Sequence, residues 1–285
     1  MNTKFNLFYI FHILNDIVSF EENEMYEVHF RCLENINRFF KEAIFVITVD
    51  DLNNPLITSL KHKLSNEICY NIKNITFIVE QNNKLEREGY IFKKYVIDKL
   101  NKLWDENTLV FFAHTKGIYN YTEDRNVAKW VISMYYFCLN NVECFMYDLL
   151  RDKILSYGFP CFDNCPWNEN INFIYAGSFQ VFSPSHIYKY IIDNNIDLNK
   201  TLYYSMDNNR FMMELFLPTI IKNKDIDKVG YAEYDRLKKY HIKWPMDIYD
   251  PKQYDTFLRS YIPYTVYNKF IKFYDEITLD LRTIC

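Results

Sequence analysis

A group of four residues with ligand-binding chemistry, His114, Thr115, Lys116 and Gly117, directly follows the apolar run 109–113. An apolar run of this length is typical of a buried β-strand, so the group stands where a strand leaves the core. Lysine and histidine side chains commonly bind phosphate oxygens, and a glycine lets the backbone approach a ligand or adopt a positive φ. The pattern predicts a phosphate-binding cluster, although strand ends are often polar and contain glycine without any function.

Two acidic residues, Asp50 and Asp51, end an earlier apolar run in the same way. The carboxyl ends of parallel strands meet at one edge of a sheet, and this is the edge at which such sheets bind ligands. If the two strands are parallel, Asp50 and His114 lie at the same edge. We therefore predict that both polar groups face a common ligand.

Two further places combine polar residues with an apolar pattern. Gly177 and Ser178 interrupt the strand-like segment 171–183, and a glycine inside a strand often marks a bulge or the close approach of another group. Arg210 and Glu214 are four residues apart on a predicted helix and therefore share one helix face. They form either a solvated ion pair or, near the sheet edge, a site in which Glu214 acts as an acid, a base or an acceptor for sugar hydroxyls.

Several common enzyme motifs do not occur in the sequence. It contains no G-x-x-x-x-G-K-[ST] phosphate loop, no G-x-G-x-x-G dinucleotide fingerprint, no G-x-S-x-G nucleophile elbow and no H-E-x-x-H pair. These absences argue against P-loop, nicotinamide- or flavin-dependent and α/β-hydrolase enzymes.

The elements that must position these residues follow from the apolar pattern. Strand-like runs alternate with helix-like segments over the first half of the chain, with short connections. This alternation predicts an α/β fold with a mostly parallel, doubly wound sheet and helices on both faces. The predicted strands cover 4–14, 43–50, 74–81 and 108–115, and the predicted helices cover 25–40, 54–68 and 86–104.

The second half has a different pattern. A long helical segment covers 126–155, a loop rich in Pro, Cys and Asn covers 158–170, a helix starts at Ser183–Pro184, and another helix covers 206–218. The segment from 231 onward is rich in Tyr and Lys and gives no clear assignment. We find no repeat or linker that divides the chain, so we predict a single domain.

The composition argues against several kinds of partner. The 285-residue chain has a formal net charge of −4 and no basic cluster, so we expect no nucleic-acid binding. No apolar run approaches the roughly 18 residues of a membrane-spanning helix, and the N-terminal segment lacks the cleavage site of a signal peptide. The seven cysteines are an odd number without metal-ligand spacing. We therefore predict a cytoplasmic protein without structural disulfides.

Taken in order, these segments resemble a family of GT-A-like glycosyltransferases related to the rhamnan-synthesis F proteins. Members carry a Glu-containing helix, an apolar strand that ends in H-[ST]-K-G or a similar run, a long helix with Trp and Met about four apart, a strand of the type G-N-F-W-W and a helix with R-x-x-x-E. The corresponding segments are EREGYIFKKYVIDKL, FFAHTKG, KWVISM with Trp130 and Met134, AGSFQVF and NRFMME, which span about residues 74–218.

The resemblance implies a GT-A-like fold and a glycosyltransferase that moves a sugar from a nucleotide-diphosphate donor to a glycan or protein acceptor. It implies that Lys116 offsets the charge of the donor diphosphate, which Mn²⁺ or Mg²⁺ does in enzymes with a D-x-D motif, so metal dependence stays open. His114 would orient the sugar or a phosphate. The implied site residues are Asp50, Asp51, His114, Thr115, Lys116 and Gly117 for the donor, Gly177, Ser178 and Arg210 for the acceptor side, and Glu214 or Asp207 as the catalytic carboxylate.

The same resemblance implies a helical C-terminal region. It divides the chain into a nucleotide-binding half at about 1–125, an acceptor-side half at 126–230 and a C-terminal extension at 231–285. Trp130 and Met134 share a helix face, and we expect both to be at least half buried beneath the site.

The chain departs from the family pattern at three places. Val131 replaces an arginine, Ser178 replaces an asparagine, and Gln180–Val181 replaces an aromatic pair. These departures favour one alternative, a catalytically inactive sugar- or glycan-binding module of the same fold. A further alternative is an unrelated nucleotide- or partner-binding α/β domain.

Overall fold

The structure is a computed structural model of the chain. It describes residues 4–83, 87–99, 107–118, 125–139, 154–159, 161–162, 173–175, 177–198, 212–221, 229–231 and 251–279, together with the single residues 142, 146, 149, 151, 200 and 225.

The four strands of the first half are parallel and adjacent, as predicted. Their order across the sheet is β3-β2-β1-β4, and both neighbours of β1 run parallel to it. We call the edge at which these strands end the carboxyl edge of the sheet. The four strands are β1 (Lys4–His12), β2 (Glu42–Val49), β3 (Asn74–Gln81) and β4 (Thr108–His114).

The second half contributes five short strands among the described residues, β5 (Ser156–Gly158), β6 (Cys161–Phe162), β7 (Ile174–Tyr175), β8 (Gln180–Phe182) and β9 (Val229–Tyr231). Three of them extend the main sheet beyond β4 in the order β8-β5-β9. β8 is antiparallel to β4 and to β5, and β9 is parallel to β5. The sheet is therefore mostly parallel, with β8 reversed.

The prediction of one interrupted strand over 171–183 is wrong. β7 pairs with β6 in a separate antiparallel ribbon, whereas β8 belongs to the main sheet. The positive φ values of Gly177 and Ser178 turn the chain between them, because a strand cannot continue through left-handed residues. The predicted loop at 158–170 is also partly wrong, since it contains β6.

The first six helices of the described residues follow the predicted segments, and the last two lie in the segment from 231 onward, which has no individual helix assignment. Asn23 caps α1 by accepting a hydrogen bond from the Met25 N–H at 3.0 Å, and Ser183 caps α5 ahead of Pro184, as predicted. The predicted segment 54–68 ends in a π-helical turn at Leu64–Ile68. The helices are α1 (Glu24–Ile36), α2 (Leu56–Lys63), α3 (Arg87–Tyr95), α4 (Arg125–Leu139), α5 (Pro184–Asp193), α6 (Met212–Ile220), α7 (Pro251–Tyr261) and α8 (Tyr264–Thr278).

Helices cover both faces of the sheet. Side chains of β1 alternate between the faces, so Leu7 and Tyr9 join one apolar cluster while Phe8 and Ile10 join the other. The first cluster includes residues of α1, α2, α4, α7 and α8, and the second includes residues of α3, α5 and α6. This arrangement confirms the predicted doubly wound α/β fold.

The predicted helical C-terminal region is formed by α7 and α8, which pack on α4. Lys129 forms an ion pair with Asp255, and the hydroxyl groups of Ser133 and Tyr254 are 2.5 Å apart.

None of the helices in the described ranges combines the length and the apolar content that a membrane span requires. Cys32, Cys69 and Cys138 are buried free thiols.

Candidate functional site

His114 is the last residue of β4 and lies at the carboxyl edge. Its side chain shares the face of Val110 and Phe112, which α3 and α6 cover. The Nε2 atom lies 3.2 Å from the carbonyl oxygen of Gly177. Because a carbonyl only accepts hydrogen bonds, Nε2 carries the hydrogen and Nδ1 of the neutral ring carries a lone pair.

Thr115 fixes the end of β4 against β1. Its N–H donates to the carbonyl of Ile10 at 3.0 Å, and its hydroxyl oxygen accepts from the N–H of His12 at 2.9 Å. The imidazole Nδ1 of His12 is in turn 2.9 Å from the hydroxyl of Thr48 at the end of β2. The ends of three parallel strands are thus joined by short polar contacts.

Lys116 extends from this edge toward α4 and α6. Its Nζ atom lies 3.9 Å from Glu214 Oε1 and 5.1 Å from the centre of the Trp130 ring. Its side chain is 24% exposed, so Lys116 is partly buried and still in contact with solvent. Trp130 is 2% exposed and Met134 is fully buried, which confirms the prediction that both are at least half buried.

A buried hydrogen-bond network supports the Lys116 turn from below. His29 Nε2 donates to the carbonyl oxygen of Lys116 at 2.9 Å, while its Nδ1 lies 2.9 Å from the hydroxyls of both Tyr9 and Tyr135. These two hydroxyl oxygens are 2.8 Å apart. Burial lowers the pKa of His29 to about 3, so the ring is neutral near pH 7 and Nδ1 accepts.

The two predicted glycines, Gly117 and Gly177, have φ values of 87° and 89°, which side chains rarely adopt. A Cβ atom on Gly117 would collide with the side chain of Val127, and a Cβ atom on Gly177 would collide with Met134 and lie 2.9 Å from the Trp130 ring. Glycine is therefore required at both positions by backbone conformation and by packing on α4.

Glu214, in the first turn of α6, holds the turn that precedes β8. Its Oε1 atom accepts from the Gly177 N–H at 3.0 Å and lies 3.5 Å from the Ser178 hydroxyl. Ser178 has a φ of 71°, a conformation that costs a non-glycine residue about 1–3 kcal/mol. Because β8 is antiparallel to β4, this turn arrives at the carboxyl edge beside His114.

Glu88, in the first turn of α3, lies beside His114. Its Oε1 atom is 4.0 Å from His114 Nδ1, and its side chain is 18% exposed. The T-shaped contact of Phe92 with Phe216, at 5.8 Å between ring centres, packs α3 on α6. The first turns of these two helices therefore bring two carboxylates to the end of β4.

The ionisation states at the site follow from burial and from neighbouring charges. Burial lowers the pKa of His114 to about 4, with Lys116 acting in the same direction and Glu88 opposing it. Burial acts to raise the pKa of Glu88, but His114, the Glu88 backbone N–H, Lys116 and His12 together bring it below its ordinary value. At neutral pH the site therefore contains a neutral imidazole beside a carboxylate.

Asp50 follows β2 at the carboxyl edge, as predicted, but two strands away from His114. Its carboxylate accepts hydrogen bonds from the side-chain amides of Asn15 and Asn82. Asp51 is exposed and accepts from the N–H of Asn53 at 2.9 Å, which forms a turn ahead of α2. Their predicted role in donor binding stays a prediction.

Two predicted site residues, Asp207 and Arg210, lie outside the described residues. Among the described residues, no group of three or more His, Cys, Asp and Glu side chains is placed to hold a metal ion.

The prediction missed three residues of the site, Glu88, His12 and His29. Glu88 belongs to the Glu-containing helix of the family pattern, and that signal could have identified it. His12 ends β1 as His114 ends β4, so the strand-end argument applied to it equally. His29 lies on the inner face of an amphipathic helix, where nothing in the sequence distinguishes it from an ordinary core residue.

Comparisons with known proteins do not identify a family for this chain. No protein-family model matches the chain, and no curated protein matches it. A solved structure with some likeness is the 4-diphosphocytidyl-2C-methyl-D-erythritol synthase of Anaerococcus prevotii, with 14% identity and a TM-score of 0.36 over 89% of this chain and 99% of that chain. A likeness at this level carries no argument about what this chain binds.

Proposed function

We propose that the protein is a glycosyltransferase that moves a sugar from a nucleotide-diphosphate donor to a glycan or protein acceptor. The observation that carries this proposal is the position of Lys116. Its ammonium group lies close to both Trp130 and Glu214 at the carboxyl edge of a parallel sheet, and its side chain is partly exposed. Ligands of such sheets bind at this edge, and a fixed cation there suits the negative charge of a diphosphate.

The surroundings of Lys116 add the polar groups that a sugar needs. The lone pair of His114 Nδ1 and the Glu88 carboxylate accept hydrogen bonds, and hydroxyl groups are donors. The turn at Gly177 and Ser178 brings the second half of the chain to the same place.

One observation favours the alternative of a sugar-binding module without activity. Glu214, a predicted catalytic carboxylate, already accepts from the Gly177 N–H. A carboxylate that is committed to such contacts is less available as a base.

A thermal-shift screen with UDP-, GDP- and dTDP-sugars, with and without Mn²⁺, tests the proposal. A donor at about 100 times its Kd adds roughly 2.7 kcal/mol of stability. Each donor that stabilises the protein is then incubated with it, and the release of free nucleoside diphosphate is measured.

Stabilisation with release of the nucleoside diphosphate supports the transferase. Stabilisation without release, including in the presence of oligosaccharide acceptors, supports the inactive module. No stabilisation by any of these donors contradicts the proposal.

A further inference from the structure

The two carboxylates at the site differ in what they already contact. Glu214 is 10% exposed and lies close to three donors, the Gly177 N–H, the Ser178 hydroxyl and the Lys116 ammonium. It holds the turn before β8 and is therefore a positioning residue. Glu88 is more exposed, and within the described residues its side chain accepts no hydrogen bond from another residue's side chain.

His114 presents a buried acceptor that has no partner. The residue is 4% exposed, and in the part of the chain that the structure describes its Nδ1 atom makes no hydrogen bond. The hydrogen of the neutral ring is already used by the Gly177 carbonyl. Buried polar atoms are almost always hydrogen-bonded, and an exception needs an explanation.

The explanation lies in the pairing with Glu88. A separation of 4.0 Å between Glu88 Oε1 and His114 Nδ1 is too long for a direct hydrogen bond. Both atoms are acceptors when the imidazole is neutral, so neither satisfies the other, and the donor that the buried His114 Nδ1 lacks has to come from elsewhere. The diphosphate oxygens of a nucleotide-sugar carry no hydrogen near pH 7 and are repelled by the carboxylate. Hydroxyl groups provide the missing donors.

We propose that Glu88 and His114 bind two adjacent hydroxyl groups of the donor's sugar ring, one donating to the Glu88 carboxylate and the other to His114 Nδ1. This inference rests on the proposed function only for the nucleotide that carries the sugar. Of the two roles considered for His114, orienting the sugar or orienting a phosphate, it assigns the sugar. Lys116 then binds the diphosphate. The Gly177 carbonyl accepts the hydrogen of His114 Nε2, and this contact keeps the lone pair of His114 Nδ1 directed at the ligand.

A divalent cation between the same two atoms is the competing explanation, because oxygen and nitrogen ligands lie about 2.0–2.2 Å from such ions. The ammonium group of Lys116, close enough to lower the pKa of Glu88, opposes a second cation. The two explanations differ in how binding responds to metal.

Calorimetry with UDP, GDP and dTDP and with UDP-glucose, GDP-mannose and dTDP-rhamnose tests the inference. Glu88→Ala is compared with the wild type and with Glu276→Ala, which removes the same charge from an exposed position on α8. For the nucleotide that binds, we expect Glu88→Ala to weaken the binding of the corresponding nucleotide-sugar at least tenfold. The free diphosphate should bind equally well or more tightly, because a negative charge has been removed. His114→Phe should show the same selective loss, and Glu276→Ala should show none.

An unchanged ratio of the two affinities in Glu88→Ala, with the melting temperature retained, overturns the inference. Binding that is abolished by EDTA and restored by Mn²⁺ in the wild type, with loss of the Mn²⁺ effect in Glu88→Ala, overturns it in favour of a metal. If no nucleotide binds, saturation-transfer NMR with methyl glucoside, mannoside and rhamnoside separates the two proposals. Signals that Glu88→Ala abolishes support the hydroxyl site while the proposed function fails, and absent or unaltered signals overturn the hydroxyl site too.

Discussion

The ammonium group of Lys116 lies 5.1 Å from the centre of the buried Trp130 ring. An aromatic face attracts a cation, and Glu214 holds the same group from another side. The cation is therefore fixed before any ligand arrives, which lowers the entropy cost of binding a charged ligand.

Replacement of this cation should weaken nucleotide binding. Lys116→Ala removes a charge-assisted contact worth about 1.5–3 kcal/mol, so we expect roughly ten- to hundredfold weaker binding of both the donor and the free nucleoside diphosphate. Calorimetry measures both, with Lys93→Ala as a control that removes an exposed lysine of α3. Equal affinities in the wild type and Lys116→Ala would mean that the segment is a polar strand end without a phosphate role.

Removal of the ring beneath Lys116 should affect folding first. Trp130 is 2% exposed, so Trp130→Ala should lower the free energy of unfolding by about 3–5 kcal/mol. Urea denaturation measures this loss. A variant with unchanged stability and lost donor binding would show instead that the ring contacts the ligand.

Gly177→Ala should be strongly destabilising, because the positive φ and the collision with Met134 both act against it. The backbone contribution alone is about 1–2 kcal/mol. A double-mutant cycle with Met134→Ala separates the two causes. We expect Gly177→Ala to cost about 1 kcal/mol less in the Met134→Ala background, and strict additivity would refute the steric part.

Stability should fall on mild acidification. The pKa values of His29 and His114 are lowered to about 3 and about 4, whereas the unfolded chain binds these protons near pH 6.5. Because the unfolded state binds more protons in this range, the free energy of unfolding rises with pH, and each ring costs about 1.4 kcal/mol between pH 7.5 and 5.5. Urea midpoints over this range measure the effect.

The variant His29→Gln keeps a side-chain donor for the Lys116 carbonyl but does not titrate. Between pH 7.5 and 5.5, its free energy of unfolding should fall by about 1.4 kcal/mol less than that of the wild type. A wild-type urea midpoint that does not change between pH 7.5 and 5.5 would contradict the burial of neutral imidazoles.

The sheet could be predicted from local pattern, because apolar runs of four to eight residues between polar segments identify buried strands. β3 covers the predicted residues 74–81, and β4 ends one residue before the predicted end at 115. The strand predicted at 171–183 failed because local pattern does not show that Gly177 and Ser178 both adopt left-handed conformations. That conformation is fixed by Glu214, which is distant in sequence.

The site could be predicted only in part for the same reason. The strand end at His114–Gly117 is a local feature, and the sequence identified it. The predicted partner of Glu214 was Arg210, which lies outside the described residues. Nothing in the local pattern indicates the contacts of Glu214 with Gly177 and Lys116. Glu88 meets His114 through the packing of α3 on β4 and on α6, which no spacing in the sequence specifies.

The central position of β1 has a consequence for the order of assembly during synthesis. β1 is made first, but its neighbour β4 is made about a hundred residues later, and β8, which covers the far side of β4, follows after that. At translation rates of about 5–20 residues per second, the nascent chain carries an uncovered apolar strand edge for several seconds. Such edges pair readily with other chains. Until residues 108–114 and then residues 180–182 have been synthesised, other chains can therefore pair with these open edges of β1 and β4.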